Sequence, residues 1–230
     1  TLTLFVATVT LFLVIGQAQA ATTFNTPITE DTTLYFHTAP SEGDKNFGEY
    51  TKNDGDTRHV LGMDNRGTFS SLDQQRALLQ ASGIVGALTA NGFTHASQIS
   101  AVLKITQVFP HIAPARDFEA FRMTAGWNEG TANSDYQDGS STWNNIVHKG
   151  TGTPSAGGNT PWTTPGGDFD GTVLDTVSLL EASSGSSVTE VDITAAVKHW
   201  FDNPTENFGV ILNNVAPTSW ADTPAYFASS

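Results

Sequence analysis

Along residues 99–105 the chain reads Ile-Ser-Ala-Val-Leu-Lys-Ile, which places Ile99, Ala101, Leu103 and Ile105 on one face at period two. A segment of this kind has one face to bury and one nearer solvent, so it needs a second apolar layer to pack against. Pro110 and Pro114 follow it and bracket a turn, which ends the strand. The chain is therefore expected to supply further strands that cover this face.

Such strands are readable elsewhere. Thr32–Phe36, Arg76–Gln80, Phe118–Met123, Thr172–Leu180 and Val188–Ile193 are strand candidates, and Phe208, Val210 and Leu212 alternate as a last one. The spaces between them are rich in turn formers: a loop is expected over 37–56, a turn at Asp64-Asn65-Arg66-Gly67, and a loop centred on Asn91-Gly92. From Thr131 to Gly171 the chain is mostly Gly, Ser, Thr, Asn and Pro, with Trp143 and Trp162 embedded in it. Tryptophans are costly to leave in water, so this stretch reads as an ordered, meandering loop with short strands. One helix is expected, over 194–202, with Thr194 as N-cap, Val197, Trp200 and Phe201 at i, i+3, i+4, and Asn203-Pro204 as its stop. Many short strands and one short helix give the expected class: all-β, a jelly-roll or β-sandwich in a single domain over 21–230.

Residues 4–15 form an apolar run broken only by Thr8 and Thr10, followed by Gly16 and by Ala18-Gln19-Ala20. This is the layout of a secretory signal peptide over 1–20 with its cleavage site, and it is too short for a membrane span. The rival reading is a retained hydrophobic stalk, as a filament subunit would carry. Export places the mature domain outside the cell or on its surface, and the absence of cysteine means that apolar burial, without disulfides, must stabilise it. The formal net charge of −13, with only 10 Lys and Arg, excludes nucleic acid and anionic membranes as natural partners and leaves neutral polymers or divalent cations.

Several stretches together resemble the DNRLRE domain family, also classed as carbohydrate-binding module family 96. They are Arg76-Ala77-Leu78-Leu79-Gln80, the segment from Phe118 to Trp127-Asn128-Glu129-Gly130, and Trp162-Thr163-Thr164-Pro165-Gly166-Gly167-Asp168-Phe169-Asp170. The tail is similar too: Val191-Asp192-Ile193-Thr194, Val197 with Trp200, Asn203-Pro204 and Asn207-Phe208-Gly209-Val210. The resemblance implies a non-catalytic sugar-binding sandwich. The family's Phe-Ala-Ser element is matched by Phe227-Ala228-Ser229, but its following Arg-Pro-x-Leu-x-Val strand is not, so the fold is expected to lack a closing strand. Members described as binding alginate would need basic residues, and this acidic chain points to neutral glycans instead.

Sugar binding directs attention to aromatics, whose faces stack on the C–H face of a pyranose. Trp220, Tyr136, Trp143 and Trp162 are the candidate ligand-binding residues; the competing reading is that Trp127, Trp143 and Trp162 pin the long loop to the sandwich. Trp200 reads as core. Calcium is the cofactor that acidic loops would hold, at Asp168 with Asp170, at Asp54 with Asp56, or at Asp64 with Asn65. Catalysis has little support: the six histidines lack zinc-ligand spacing, no G-x-S-x-G element occurs, and Glu129 has no nameable partner carboxylate. The leading expectation is a carbohydrate-binding or cell-surface adhesion domain that recognises a polysaccharide or surface glycan. A structural subunit of an extracellular matrix or filament, joined through an open sheet edge, comes second, and a polysaccharide-cleaving enzyme third.

Overall fold

The computed structural model describes residues 8–13, 23–36, 45–47, 60–65, 74–107, 116–130, 139–149, 158–179, 187–215 and 225–228. These form an antiparallel β-sandwich with two short α-helices. The first sheet joins β1 (Thr8–Leu13), β2 (Phe24–Pro27), β7 (Ile99–Gln107) and β12 (Ser187–Asp192) in the order β2-β1-β7-β12. The end of β7 also meets β14 (Ala225–Ala228), which pairs with β5 (Val60–Asn65). The second sheet runs β4-β3-β6-β13-β8-β11, built from β3 (Glu30–Phe36), β4 (Lys45–Phe47), β6 (Gln74–Gln80), β8 (Arg116–Met123), β11 (Phe169–Leu179) and β13 (Val210–Asn214). A two-pair contact between β5 and β6, Asp64 with Gln75 and Asn65 with Gln74, links the two sheets.

The alternation in β7 does what its period implies: Ile99, Ala101, Leu103 and Ile105 are all buried in the core between the sheets. From the second sheet Ala77, Leu79, Phe118, Ala120, Val210 and Leu212 meet them. The intervening residues of the same strands, Leu78, Phe121, Met123 and Ile211, enter a second cluster with Leu34, Trp127, Trp143 and Trp162. The second sheet is thus covered on both faces, by the first sheet on one side and by the tryptophan-bearing loops on the other. Such double coverage explains why Ala77-Leu78-Leu79 reads as a continuous apolar run.

Helix α2 (Thr194–Asp202) buries Ala196, Val197 and Trp200 in the main core, with Phe201 partly buried against it. Thr194 is the first helical residue and not the cap; its Oγ1 instead accepts from the Ala101 N–H (2.9 Å), tying the helix to β7, while Asp192 Oδ1 accepts from the Thr194 N–H. The expectation of a single helix is corrected by α1 (Ile84–Ala90), which buries Ile84 and Leu88 one turn apart. Gly83 and Gly86 hide it in the sequence, because glycine weakens a helix that only tertiary packing then stabilises. Two further corrections concern strands: β4 falls inside the expected 37–56 loop, and Asp64-Asn65, expected as a turn, ends β5 by pairing with β6.

The segment read as a leader contributes β1, whose register runs from Thr8 opposite Lys104 to Leu13 opposite Ile99. Among the described residues no helix is long and apolar enough to cross a membrane.

Candidate functional site

The loop between 158 and 168 folds back on the second sheet through its aromatic residues. Short strands β9 (Asn145–Val147) and β10 (Thr160–Pro161) pair beside it, within the stretch expected to be an ordered meander, of which residues 131–138 and 150–157 lie outside the described residues. Trp162 is 4% exposed; its Nε1 donates to the Thr142 carbonyl (2.8 Å) and its backbone N–H to the Asn144 carbonyl (3.1 Å). Trp143 is 5% exposed, and its carbonyl accepts from the Gly166 N–H (2.6 Å). Trp127 donates from Nε1 to the Phe208 carbonyl (2.8 Å). Of the two roles considered for these rings, the geometry fits pinning the loop. Trp143 and Trp162 have no open face on which a sugar could stack, which corrects their placement among the ligand-binding residues.

Between the rings lies a residue that composition and spacing do not single out. Arg76, from β6, holds its guanidinium 4.8 Å from the Trp143 ring and 5.5 Å from the Phe169 ring, and its Nη1 donates to the Gly166 carbonyl (2.8 Å). Stacking a cation on aromatic faces compensates part of its desolvation. Burial still lowers its pKa to about 10, which leaves it charged at neutral pH. In the sequence it stands within the Arg76-Ala77-Leu78-Leu79-Gln80 stretch of the family resemblance, ahead of the apolar Ala77-Leu78-Leu79 run, and nothing there marks it as part of a site.

The turn at Gly166-Gly167 is what allows this packing. Both residues have positive φ (90° and 107°), and a Cβ on Gly166 would lie 2.5 Å from Arg76 Nη1 and 2.8 Å from Trp143 Cζ2. Asp168 closes the turn: its two carboxylate oxygens accept from the backbone N–H groups of Thr163 (3.0 Å) and Thr164 (2.9 Å), and its carbonyl accepts from the Thr124 N–H (3.0 Å). The register of β11 on β8 then skips from Phe169 opposite Met123 to Val173 opposite Phe121. In that bulge Asp170 accepts from the Thr172 N–H (2.9 Å) and from Arg122 Nη2 (2.9 Å). The hydrogen bonds from Thr172 and then from Arg122 favour the ionised carboxylate and lower its pKa.

Asp168 with Asp170 is one of the pairs expected to hold calcium. Both carboxylate oxygens of each accept hydrogen bonds that fix the turn and the bulge. Among the described residues no group of three His, Cys, Asp or Glu gathers as a metal site would need. Asp54, Asp56, Tyr136 and Trp220 lie outside the described residues.

This turn and the end of β8 enclose an open cleft of about 540 Å³, lined by Thr124, Ala125, Thr163, Thr164, Gly167, Asp168 and Phe169. The ring of Phe169 is held 4.9 Å from that of Phe121. Three threonines, one aromatic and one carboxylate that is already bonded make a lining able to meet hydroxyl groups and an apolar face together. No sequence signal assembles it, because Thr124 and Thr163 are far apart in the chain and threonine in a turn-rich stretch is not distinctive. Compared with known proteins, the chain matches no family model and no curated protein.

Proposed function

We propose that this chain is a secreted, non-catalytic carbohydrate-binding domain that holds a neutral surface glycan or polysaccharide in the cleft between Thr124–Ala125 and Thr163–Phe169. The lining of that cleft carries the reading: Thr124, Thr163 and Thr164 line it together with Phe169, and its one carboxylate is occupied by backbone N–H groups. A sugar offers the complementary surface, with hydroxyls around an apolar face. The similarity of residues 118–130 and 162–170 to the DNRLRE family supports the same ligand class. The charge of −13 disfavours uronate polymers through repulsion, whereas a neutral sugar carries no such penalty.

The test is calorimetric titration of neutral and anionic oligosaccharides at low and high ionic strength, with and without calcium, on the parent and on Thr163→Ala and Thr164→Ala. Each substitution keeps the backbone N–H that Asp168 accepts from and removes one hydroxyl. A lost hydrogen bond of about 1 kcal/mol corresponds to roughly fivefold weaker binding. Binding of neutral sugars should be insensitive to salt. Affinity unchanged in both threonine variants but abolished by Trp220→Ala or Tyr136→Ala would move the site away from this cleft.

A further inference from the structure

The wall of the cleft formed by Thr124 and Ala125 continues into a strip with a second aromatic ring on its far side. After β8 the chain runs on through residues 124–128, where Thr124, Gly126 and Asn128 are exposed while Ala125 and Trp127 pack into the cluster under the loops. The strip is held from both sides. The Thr124 N–H donates to the Asp168 carbonyl (3.0 Å), and the Met123 N–H donates to the Gly209 carbonyl (2.9 Å). Phe169 follows the first of these acceptors and Phe208 precedes the second. Both phenylalanines are half-buried against the same cluster, with Ala125 packed on it as well.

The backbone around Phe208 is fixed. Asn207 is buried, and its Nδ2 donates to the Ala81 carbonyl (2.9 Å). The Phe208 carbonyl accepts from Trp127 Nε1 (2.8 Å). Gly209 has a φ of 82° and lies so near the Leu79 carbonyl that a Cβ would strike it. A ring carried on such a backbone needs little ordering to meet a ligand, which keeps the entropic cost of binding low.

Gly126 leaves the flank of that ring open. A Cβ there would lie 3.6 Å from Phe208 Cδ1 and 3.7 Å from Cε1, both ordinary contacts, so a longer side chain would extend over the ring. Gly126 is not among the glycines of positive φ, so backbone conformation does not call for glycine at this position. Asp168 and Gly209 bond to the end of β8 from opposite sides and therefore stand about two inter-strand spacings apart, roughly 9.6 Å. A single pyranose ring is shorter than that span, whereas successive units of a glycan chain cover it.

We propose that the glycan site has two aromatic subsites, one at Phe169 in the cleft and one at Phe208 beside Gly126, so that the domain recognises a neutral oligosaccharide chain and not a single sugar. The inference rests on the reading of the cleft as a glycan site. Thr124 and Asn128, exposed on either side of Gly126, offer hydroxyl and amide groups to the sugar hydroxyls along the strip.

The test is titration with glucose and mannose and with cellohexaose, mannohexaose and maltohexaose, on the parent and on Gly126→Ala and Gly126→Leu, with tryptophan fluorescence showing that each variant is folded. A second ring contact predicts that a hexasaccharide binds about tenfold more tightly than its monosaccharide, and that this gain shrinks in Gly126→Ala and vanishes in Gly126→Leu while monosaccharide affinity holds within about twofold. If Gly126→Leu does not fold, Gly126→Ala carries the same comparison, since its Cβ makes only ordinary contacts. Equal affinity for monosaccharide and hexasaccharide in the parent would overturn the second subsite and leave the cleft reading standing. So would a hexasaccharide gain that survives both substitutions, which is what repeated registers on one subsite produce. Loss of monosaccharide binding in the variants would place Gly126 in the first subsite and overturn the division into two. A parent that binds none of these sugars would remove the cleft reading itself, and this inference with it.

Discussion

Gly166→Ala probes the turn on which the cleft depends. The added Cβ would lie 2.5 Å from Arg76 Nη1 and 2.8 Å from Trp143 Cζ2. Neither neighbour can yield easily: the guanidinium is stacked between the Trp143 and Phe169 rings and bonded to the Gly166 carbonyl, and Trp143 is buried. The φ of 90° adds left-handed strain of about 1–2 kcal/mol for an L-residue. Overpacking contributes about 1–3 kcal/mol. Displacing the charged hydrogen bond from Arg76 adds about 1.5–3 kcal/mol. Because one rearrangement can relieve two of these terms together, the expected loss is about 3–6 kcal/mol, short of their full sum. The companion Gly171→Ala, in the β11 bulge with no atom within 4 Å of its new Cβ, should change stability by less than about 1 kcal/mol. Urea denaturation of both variants, followed by tryptophan fluorescence, measures the difference. A Gly166→Ala loss below about 1 kcal/mol, or equal losses in the two variants, would show that the Arg76 sandwich does not constrain the turn.

Three other outcomes are expected. Trp200→Ala should cost about 3–5 kcal/mol in chemical denaturation, since the ring is 2% exposed in the main core; a loss under about 1 kcal/mol removes α2 from the structural core. Trp162→Phe keeps most of the ring but strands the Thr142 carbonyl, so a loss of about 1–3 kcal/mol is expected in the same assay, and a neutral result would mean that carbonyl finds another donor. For Asp170 the folded pKa lies below its unfolded value, so its contribution is present above the ordinary aspartate range and fades as pH falls through the folded pKa. With a side chain 39% exposed the effect is modest, and Asp170→Asn should narrow the stability gap between pH 6 and pH 2.5 by less than about 1 kcal/mol; a widened gap contradicts the sign.

How much was legible follows from how local each signal is. The alternation of Ile99, Ala101, Leu103 and Ile105 is a property of consecutive residues, so it identified both β7 and its buried face. The i, i+3, i+4 spacing of Val197, Trp200 and Phe201 did the same for α2, and Asn203-Pro204 marked its end. Helix α1 escaped because its glycines oppose helix formation and only the burial of Ile84 and Leu88 overrides them. Asp64 and Asn65 read as a turn because their strand character comes from pairing with β6.

At the site, sequence alone established residue types: tryptophans in a Gly-rich loop, two glycines ahead of Asp168, a second carboxylate at Asp170. Tertiary structure decided their roles. Trp143 and Trp162 became anchors because the second sheet has two apolar faces and the first sheet covers only one, leaving Leu78, Phe121, Met123 and Ile211 for the loop rings to bury. Asp168 turned inward to the backbone N–H groups of Thr163 and Thr164, and Asp170 to Arg122. The cleft itself joins residues 124–125 to residues 163–169, a proximity set by the pairing of β8 with β11. Periodicity reports which face of an element is apolar, because that is written in neighbouring residues. Which surface covers that face, and which groups are left free to meet a ligand, depends on contacts between residues distant in the chain, and these exist only once the sheets have packed.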